Sequence, residues 1–199
     1  MSKNRDLQAL PDDFPLLDEV QSGIADVESL NTIFSLLHAI RTGRMTDRRI
    51  DHVRQHYDAD EIALYEMAIR LADEQPNLLD LHLDLVSKDE ALELFLGQAA
   101  AKQKKDADLG QHTIRGFKNL KPIDAEIGWS TSQQVSSIHN FLSSIAFEDL
   151  CAEFNPDQTT SGASPQQVQV SLEPLLEKTK SFYRQASEAR LAVLSVRWG

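Results

Sequence analysis

Apolar residues recur at steps of three and four through the first part of the chain, which is the spacing of one face of an amphipathic helix. The stripe comprises Leu17, Val20, Ile24, Val27, Leu30, Phe34, Leu37 and Ile40. Two further helices are predicted, one capped by Thr46 and one opened by the capping box Asp58-x-x-Glu61. Glycine (8) and proline (7) are scarce, which also favours helices over many short strands.

The chain beyond Pro76 is also predicted to be helical. Residues 79–85 alternate Leu with polar residues, the period of a strand. We predict a short helix or an extended connector instead, because no second clear strand is available to pair with them. Capping boxes at Ser87-x-x-Glu90 and Ser130-x-x-Gln133 open two helices. Between these two, Gly110 and Pro122 bracket a short helix.

The longest predicted helix runs from Glu173 to Arg197, with Val193 and Val196 on its inner face. Residues 155–166 are turn-formers and small polar residues, which predicts a mobile loop. We therefore predict an all-α fold, a helical bundle of about six or seven helices with a long C-terminal helix. Residues 1–154 form the bundle and 167–199 pack on it, so the chain is a single domain overall.

Charge and composition exclude several classes of protein. With 20 Lys and Arg against 31 Asp and Glu, the formal net charge is -11, and such a field repels nucleic acid. No apolar run approaches the ~20 residues of a membrane span. The single cysteine, Cys151, precludes an intramolecular disulfide, and no apolar stretch follows the basic residues near Met1. We therefore expect a cytoplasmic protein that is not a membrane protein.

Motifs of common enzymes are missing from the sequence. It contains no Gly-x-x-x-x-Gly-Lys, no Gly-x-Gly-x-x-Gly, no Gly-x-Ser-x-Gly and no Cys-x-x-Cys. These motifs mark phosphate binding, dinucleotide binding, serine hydrolysis and thiol redox chemistry. The sequence therefore favours a protein that uses no cofactor and is not an enzyme.

Two basic islands interrupt the acidic background. One contains Arg41, Arg44, Arg48, Arg49 and Arg54, and the other covers residues 102–121. Their guanidinium and ammonium groups suit an acidic group on a partner. Trp198, near the end of the chain, is a second candidate contact, because an exposed indole often binds another protein.

His52 and His56 are four residues apart on a predicted helix. This spacing aims two imidazoles at one point, as in zinc sites built on helices. The residue after the first histidine is Val53 rather than the glutamate of zinc proteases. The pair is therefore a candidate metal site that still requires a third ligand.

A third motif is His112-x-x-Arg115-Gly116, within the second basic island. Its residues share one helical face. The motif resembles the phosphoacceptor helix of histidine phosphotransfer domains, whose pattern is His-x-x-Lys/Arg-Gly. The resemblance implies a phosphoacceptor histidine at His112, with Arg115 and Gly116 beside it. It covers about five residues, and the small residues that follow in that family are replaced here by Phe117 and Lys118.

These patterns lead to three functional hypotheses. The first is an acidic, non-catalytic helical protein that binds a protein partner as an adaptor, antagonist or regulatory subunit; a homo-oligomer is compatible with it. The alternative is a histidine phosphotransfer-like signalling module that uses His112. A metal or ligand site at His52 and His56 is a third.

Overall fold

The computed structural model describes residues 5–22, 26–85, 88–106, 108–120, 125–148 and 165–198. Contacts divide the chain into unit 1, Met1–Asp12 with Leu83–Gly199, and unit 2, Asp13–His82. The chain is mostly helical, as predicted, and a long helix lies near its C-terminal end. None of the described helices has the length and apolar character needed to cross a bilayer.

Unit 2 is built from helices. They are α1 (Pro15–Gln21), α2 (Val27–Arg41), α3 (Asp47–His56), α4 (Ala59–Glu74) and α5 (Asn77–Asp80). Helix α2 contacts α1, α4 and α5, and α3 contacts α4. The predicted stripe explains why α2 lies inside, since its Leu30, Ile33, Phe34 and Leu37 are all buried.

The helix caps predicted in unit 2 are confirmed. The backbone N–H of Arg49 donates to Thr46 Oγ1 at 3.4 Å, and that of Glu61 donates to Asp58 Oδ1 at 2.9 Å. The stripe from Leu17 to Ile40 is not one helix, however. Its described residues divide between α1 and α2, because Asp26 begins a new helix by accepting the N–H of Glu28. Ile24 of the stripe lies outside the described residues.

Unit 1 combines helices with an antiparallel sheet. The helices are α6 (Asp89–Lys102), α7 (Leu109–Arg115), α8 (Ser132–Ser143) and α9 (Pro165–Glu188), and the strands are β1 (Arg5–Pro11), β2 (His82–Asp84), β3 (Lys118–Leu120), β4 (Ala125–Ser130) and β5 (Leu191–Trp198). The strand order is β2-β1-β5-β4-β3. Strand β5 is central, and it pairs antiparallel with β1 and with β4.

Strand β5 is covered on both faces. Its residues from Leu191 to Ser195 and Val196 are buried. Helices α8 and α9 contact β5, as does α7, and Ser195 Oγ donates to the carbonyl of Ile114 in α7 at 2.8 Å. The core of unit 1 therefore lies around this strand.

The sheet corrects several predicted elements. The final helix ends at Glu188, and the segment predicted to continue it, including Val193 and Val196, is β5. Arg190 has a left-handed backbone with φ of 56°, which breaks the helix before the strand begins. The prediction for 79–85 holds only for the helix, because β2 follows α5 and finds a partner in β1.

Two further element predictions are shifted in position. Gly110 lies inside α7, and Lys118–Leu120 is a strand rather than part of a helix. The cap of α8 is Thr131, one residue after the predicted Ser130, and it forms a capping box with Gln134. Ser130 is instead the last residue of β4. Ser87 and residues 155–164 of the predicted loop lie outside the described residues. Pro165 and Gln166, the last two residues of that loop prediction, belong to α9 instead, which begins before the predicted Glu173.

Helices α6 and α7 cross at two glycines. A Cβ on Gly110 would lie 2.7 Å from the carbonyl carbon of Leu96 and closer still to Gly97 N, whereas a Cβ on Gly97 would meet nothing within 4 Å. The close backbone contact therefore requires glycine at 110 but not at 97.

This asymmetry gives a matched pair of variants. Gly110→Ala should lower the free energy of unfolding by about 1–3 kcal/mol, because the added methyl group forces the two helices apart. Gly97→Ala should raise it by about 0.5–1 kcal/mol, since alanine is the better helix former. Urea unfolding followed by tryptophan fluorescence measures both changes. Equal effects of the two variants would contradict the crossing described above.

Candidate functional site

A row of charged residues crosses the sheet of unit 1. Arg5 of β1 lies opposite Arg197 of β5, and Arg197 lies opposite Glu126 of β4. Two arginines placed opposite each other repel. Their neighbours must therefore supply negative charge.

Carboxylates surround Arg5, whose side chain is only 1% exposed. Its Nε lies 3.3 Å from Asp89 Oδ2 and its Nη2 lies 2.5 Å from Glu126 Oε2. Its Nη1 donates to Ser195 Oγ at 3.0 Å. Each guanidinium nitrogen therefore has an acceptor, which a buried cation requires.

Two more arginines extend this group. Arg197 contacts Glu90 at 2.6 Å and Asp89 at 3.4 Å, while Arg115 contacts Glu93 at 2.8 Å. Arg115 and Arg197 also lie 3.5 Å and 4.0 Å from Glu126. We refer to the whole set as the arginine–carboxylate cluster: Arg5, Arg115, Arg197, Asp89, Glu90, Glu93 and Glu126.

The cluster shifts the titration of Glu126. Burial raises the pKa of this carboxyl group, but the hydrogen bond from Arg5 and the charges of the three arginines outweigh burial, so its pKa lies below the ordinary value. Glu126 is therefore ionised at neutral pH and is held by cations. Its geometry suits a structural ion pair rather than proton transfer.

An open cleft of about 460 Å³ lies beside the cluster, between α6 and α7. Glu90, Glu93 and Arg115 of the cluster contribute to its wall, together with Gly97 and Gln111. Glu93 and Arg115 of this wall pair with each other, and Glu90 pairs with Arg197 outside it. Asp108, which also lines the cleft, is exposed and forms no ion pair with a described residue.

The residues of the predicted phosphoacceptor motif have separate environments. The His112 ring stacks on Phe117 with a centroid distance of 4.1 Å, and its Nδ1 is buried with no hydrogen-bond partner among the described residues. Arg115 belongs to the cluster. Gly116 ends α7 with φ of 81°, and a Cβ there would lie 2.6 Å from Trp129 N. Arg115 and Gly116 thus have structural roles, and phosphorylation of His112 stays a prediction.

The predicted metal-binding pair lies on α3. The rings of His52 and His56 stack at a centroid distance of 4.3 Å, and His56 Nδ1 lies 2.9 Å from the His52 carbonyl oxygen. Across the described residues, no group of three or more His, Cys, Asp or Glu forms a metal-binding cluster. The structure therefore brings the two histidines together, and it adds no third ligand within that part of the chain.

The first basic island runs from the last turn of α2 to the last turn of α3. Arg41 Nη2 lies 2.8 Å from His38 Nδ1, and Arg54 lies 3.8 Å from Glu66. The other three arginines are exposed, and none forms an ion pair with a described residue. We call these three residues the arginine patch: Arg44, Arg48 and Arg49.

Most described cations of the second basic island contact other residues of unit 1. Lys105 donates to Ser144 Oγ at 3.1 Å, and Lys118 Nζ lies 5.2 Å from the centre of the Trp129 ring. Arg115 belongs to the cluster. The two islands therefore differ in degree: Lys105, Arg115 and Lys118 contact other residues of unit 1, whereas Lys104 is exposed.

Trp198 lies at the end of β5, opposite Ala125 of β4. It was predicted to follow a helix that ends at Arg197, whereas its backbone belongs to the central strand. It follows Arg197, whose side chain is 11% exposed. Removing Arg197–Gly199 would therefore disrupt the sheet as well as any contact surface.

The arginine–carboxylate cluster was not predicted from the sequence. Arg5 and Glu126 are 121 residues apart, and Arg5 and Asp89 are 84 apart, so no local spacing links them. The available signal was an arginine at position 197 directly after Leu191–Val196, a segment in which only Ser195 is polar. A charge next to such a segment often lies at the edge of a core and needs partners.

The cluster predicts a large cost for losing its central cation. Arg5→Met leaves Asp89 buried with less compensation, so the free energy of unfolding should fall by about 3–5 kcal/mol. Arg70→Met, which changes an exposed arginine, should cost less than about 0.5 kcal/mol. Urea unfolding followed by fluorescence of Trp129, buried in unit 1, provides the comparison. Equal losses in the two variants would contradict the role given to Arg5.

The lowered pKa of Glu126 predicts a dependence on pH. An ionised Glu126 stabilises the folded state above its unfolded pKa, and this contribution is lost as the pH falls through the lower pKa of the folded state. The difference in unfolding free energy between wild type and Glu126→Gln should therefore be constant near neutral pH and shrink in acid. Urea unfolding at a series of pH values measures it. A difference that persists unchanged into acid would be inconsistent with the shift.

Comparison with known proteins shows similarity of fold. No family model matches the chain, and no curated protein matches it. A solved structure, that of a protein of unknown function, YfbM from Escherichia coli, has a TM-score of 0.53 to this chain at 15% identity. The similarity covers 98% of this chain and 99% of that one. At this identity the likeness concerns the fold alone.

Proposed function

We propose that this protein is a non-catalytic binding protein whose arginine patch contacts an acidic surface of a protein partner. The observation that carries the proposal is the exposure of Arg44, Arg48 and Arg49 without ion-pair partners among the described residues. Guanidinium groups bind carboxylates through paired hydrogen bonds, so an acidic segment is the matching surface. In this proposal the protein acts in the cytoplasm as an adaptor, antagonist or regulatory subunit.

The position of the patch supports this role. Arg48 and Arg49 occupy the first turn of α3, after the cap Thr46. The helix dipole favours anions at this end, so two cations there reduce the stability of the helix. Their placement therefore favours a role in contact over a role in stability.

The charge around the patch adds specificity. Unit 2 contains 14 Asp and Glu against six Arg, a net charge of -8. Five of those arginines lie between positions 41 and 54. A partner with one acidic segment can therefore bind at this point only, because the rest of the unit repels it.

The test reverses two charges of the patch. Arg48→Glu with Arg49→Glu should reduce binding of the partner about tenfold and weaken its dependence on salt. The fold should persist, because glutamate at position 49 completes a capping box with Thr46 and should stabilise α3 by about 0.3–1 kcal/mol. The measurement is quantitative capture of partners from native extract at stepped salt concentrations, with thermal unfolding of both proteins.

The matched control is Arg70→Glu with Arg184→Glu. Both residues are exposed, and the variant has the same net charge as the patch variant. It should retain the partner. If both variants lose the partner equally, net charge explains binding and the patch does not. If neither variant loses it, the proposed contact is wrong.

A further inference from the structure

A groove of about 510 Å³ lies on unit 2, away from the residues used above. Helices α1, α2 and α4 each contribute to its wall. We call it the acidic groove, and it is lined by Leu16, Glu19, Asp26, Ser29, Asp60, Ala63, Leu64 and Met67. Its volume is in the range of sites that accept ligands or peptide side chains.

The floor of the groove is apolar. Leu16 is buried, and Leu64 and Met67 remain half-buried with nothing further covering them among the described residues. Only Ala68, Leu71 and Ala72 of α4 are fully buried, so this helix keeps apolar side chains partly in water. Methionine adapts its shape to different apolar partners.

The rim of the groove is negatively charged. Asp26 and Asp60 are exposed, and Glu19 is half-buried. None of the three forms an ion pair with a described residue, although Asp26 also caps α2 through the N–H of Glu28. Outside positions 41–54, unit 2 contains 12 Asp and Glu against Arg70 alone. The local field therefore attracts cations.

We infer that the acidic groove binds a basic amphipathic helix of a protein partner. Apolar side chains of that helix would enter the floor, while flanking Lys or Arg would pair with the three carboxylates. Charge complementarity selects this occupant, because an acidic or neutral helix would leave the rim unpaired.

The inference goes beyond the proposed function. The arginine patch suits an acidic surface, and the acidic groove suits a basic one. Unit 2 thus has two binding surfaces of opposite charge, as an adaptor needs if it joins two partners or two segments of one partner.

The test uses the full chain and three synthetic helical peptides of about 15 residues, a length at which helices begin to form. One peptide contains Lys and Leu at helical spacing, one contains Glu and Leu, and one contains Lys and Ser. Fluorescence anisotropy should show binding of the Lys–Leu peptide and not of the Lys–Ser peptide, and any binding of the Glu–Leu peptide should be weakened by Arg48→Glu with Arg49→Glu, because the arginine patch accounts for it. Equal binding of the Lys–Ser peptide, or Glu–Leu binding that this double variant leaves unchanged, would overturn the inference.

Neutral variants distinguish the effect of the groove carboxylates on peptide binding from the effect of the protein's net charge. Glu19→Gln, Asp26→Asn and Asp60→Asn together should weaken Lys–Leu peptide binding about tenfold. Asparagine at 26 still caps a helix. The matched control, Asp73→Asn with Glu74→Gln and Asp80→Asn, makes the same change in net charge at exposed positions and should weaken binding less than about twofold. Equal weakening by the two triple variants would overturn the inference.

A steric variant tests the floor. Ala63→Trp should fill the groove and weaken binding about tenfold, whereas Ala59→Trp, on the same helix but outside the lining, should not. Unchanged binding to Ala63→Trp would contradict the inference. Sedimentation of the protein alone tests a different occupant. If the protein self-associates and Ala63→Trp abolishes the self-association, the groove binds a second copy of this chain and the inference is wrong.

The arginine patch is tested independently of the groove. Arg48→Glu with Arg49→Glu should leave binding of the Lys–Leu peptide unchanged, which separates this inference from the proposed function.

Discussion

The buried guanidinium of Arg5 is the interaction on which unit 1 depends. It lies between two carboxylates, on the same row of the sheet as a second arginine. A buried ion pair contributes little net stability, but losing one member is costly because the remaining charge stays buried. The cluster therefore couples β1, β4, β5 and the start of α6, and each of these elements must be in place for the others to be stable.

Sequence patterns predicted the helices well where local signals were present. The stripe on α2 and the caps at Thr46 and Asp58 depend on residues within a few positions of one another. Strand β5 gives no such signal, because it is buried on both faces and does not alternate. Its Val193 and Val196 also match helical spacing, and the left-handed backbone at Arg190 cannot be recognised from its residue type.

The two candidate surfaces also differ in whether local sequence patterns could predict them. The arginine patch was predicted from neighbouring residues in the chain, and it is exposed in the structure. The acidic groove was not predicted, since its lining joins residues near 16, 26 and 64 from three helices. Arginine also has two uses in this protein. In the arginine–carboxylate cluster of unit 1 it is paired and largely buried, as at Arg5, and in the arginine patch of unit 2 it is exposed and forms no ion pair with a described residue.

The order of strands in the sheet has a consequence for biosynthesis. Strand β5 lies between β1 and β4, and Arg5 contacts a residue 190 positions later. The sheet of unit 1 can therefore close only after Leu191–Trp198 has left the ribosome, while unit 2 consists of one continuous segment made long before. Contacts so distant in sequence form slowly. During synthesis β1 can pair with β2 but lacks β5, so the edge of β1 that β5 later covers stays open until Leu191–Trp198 is made.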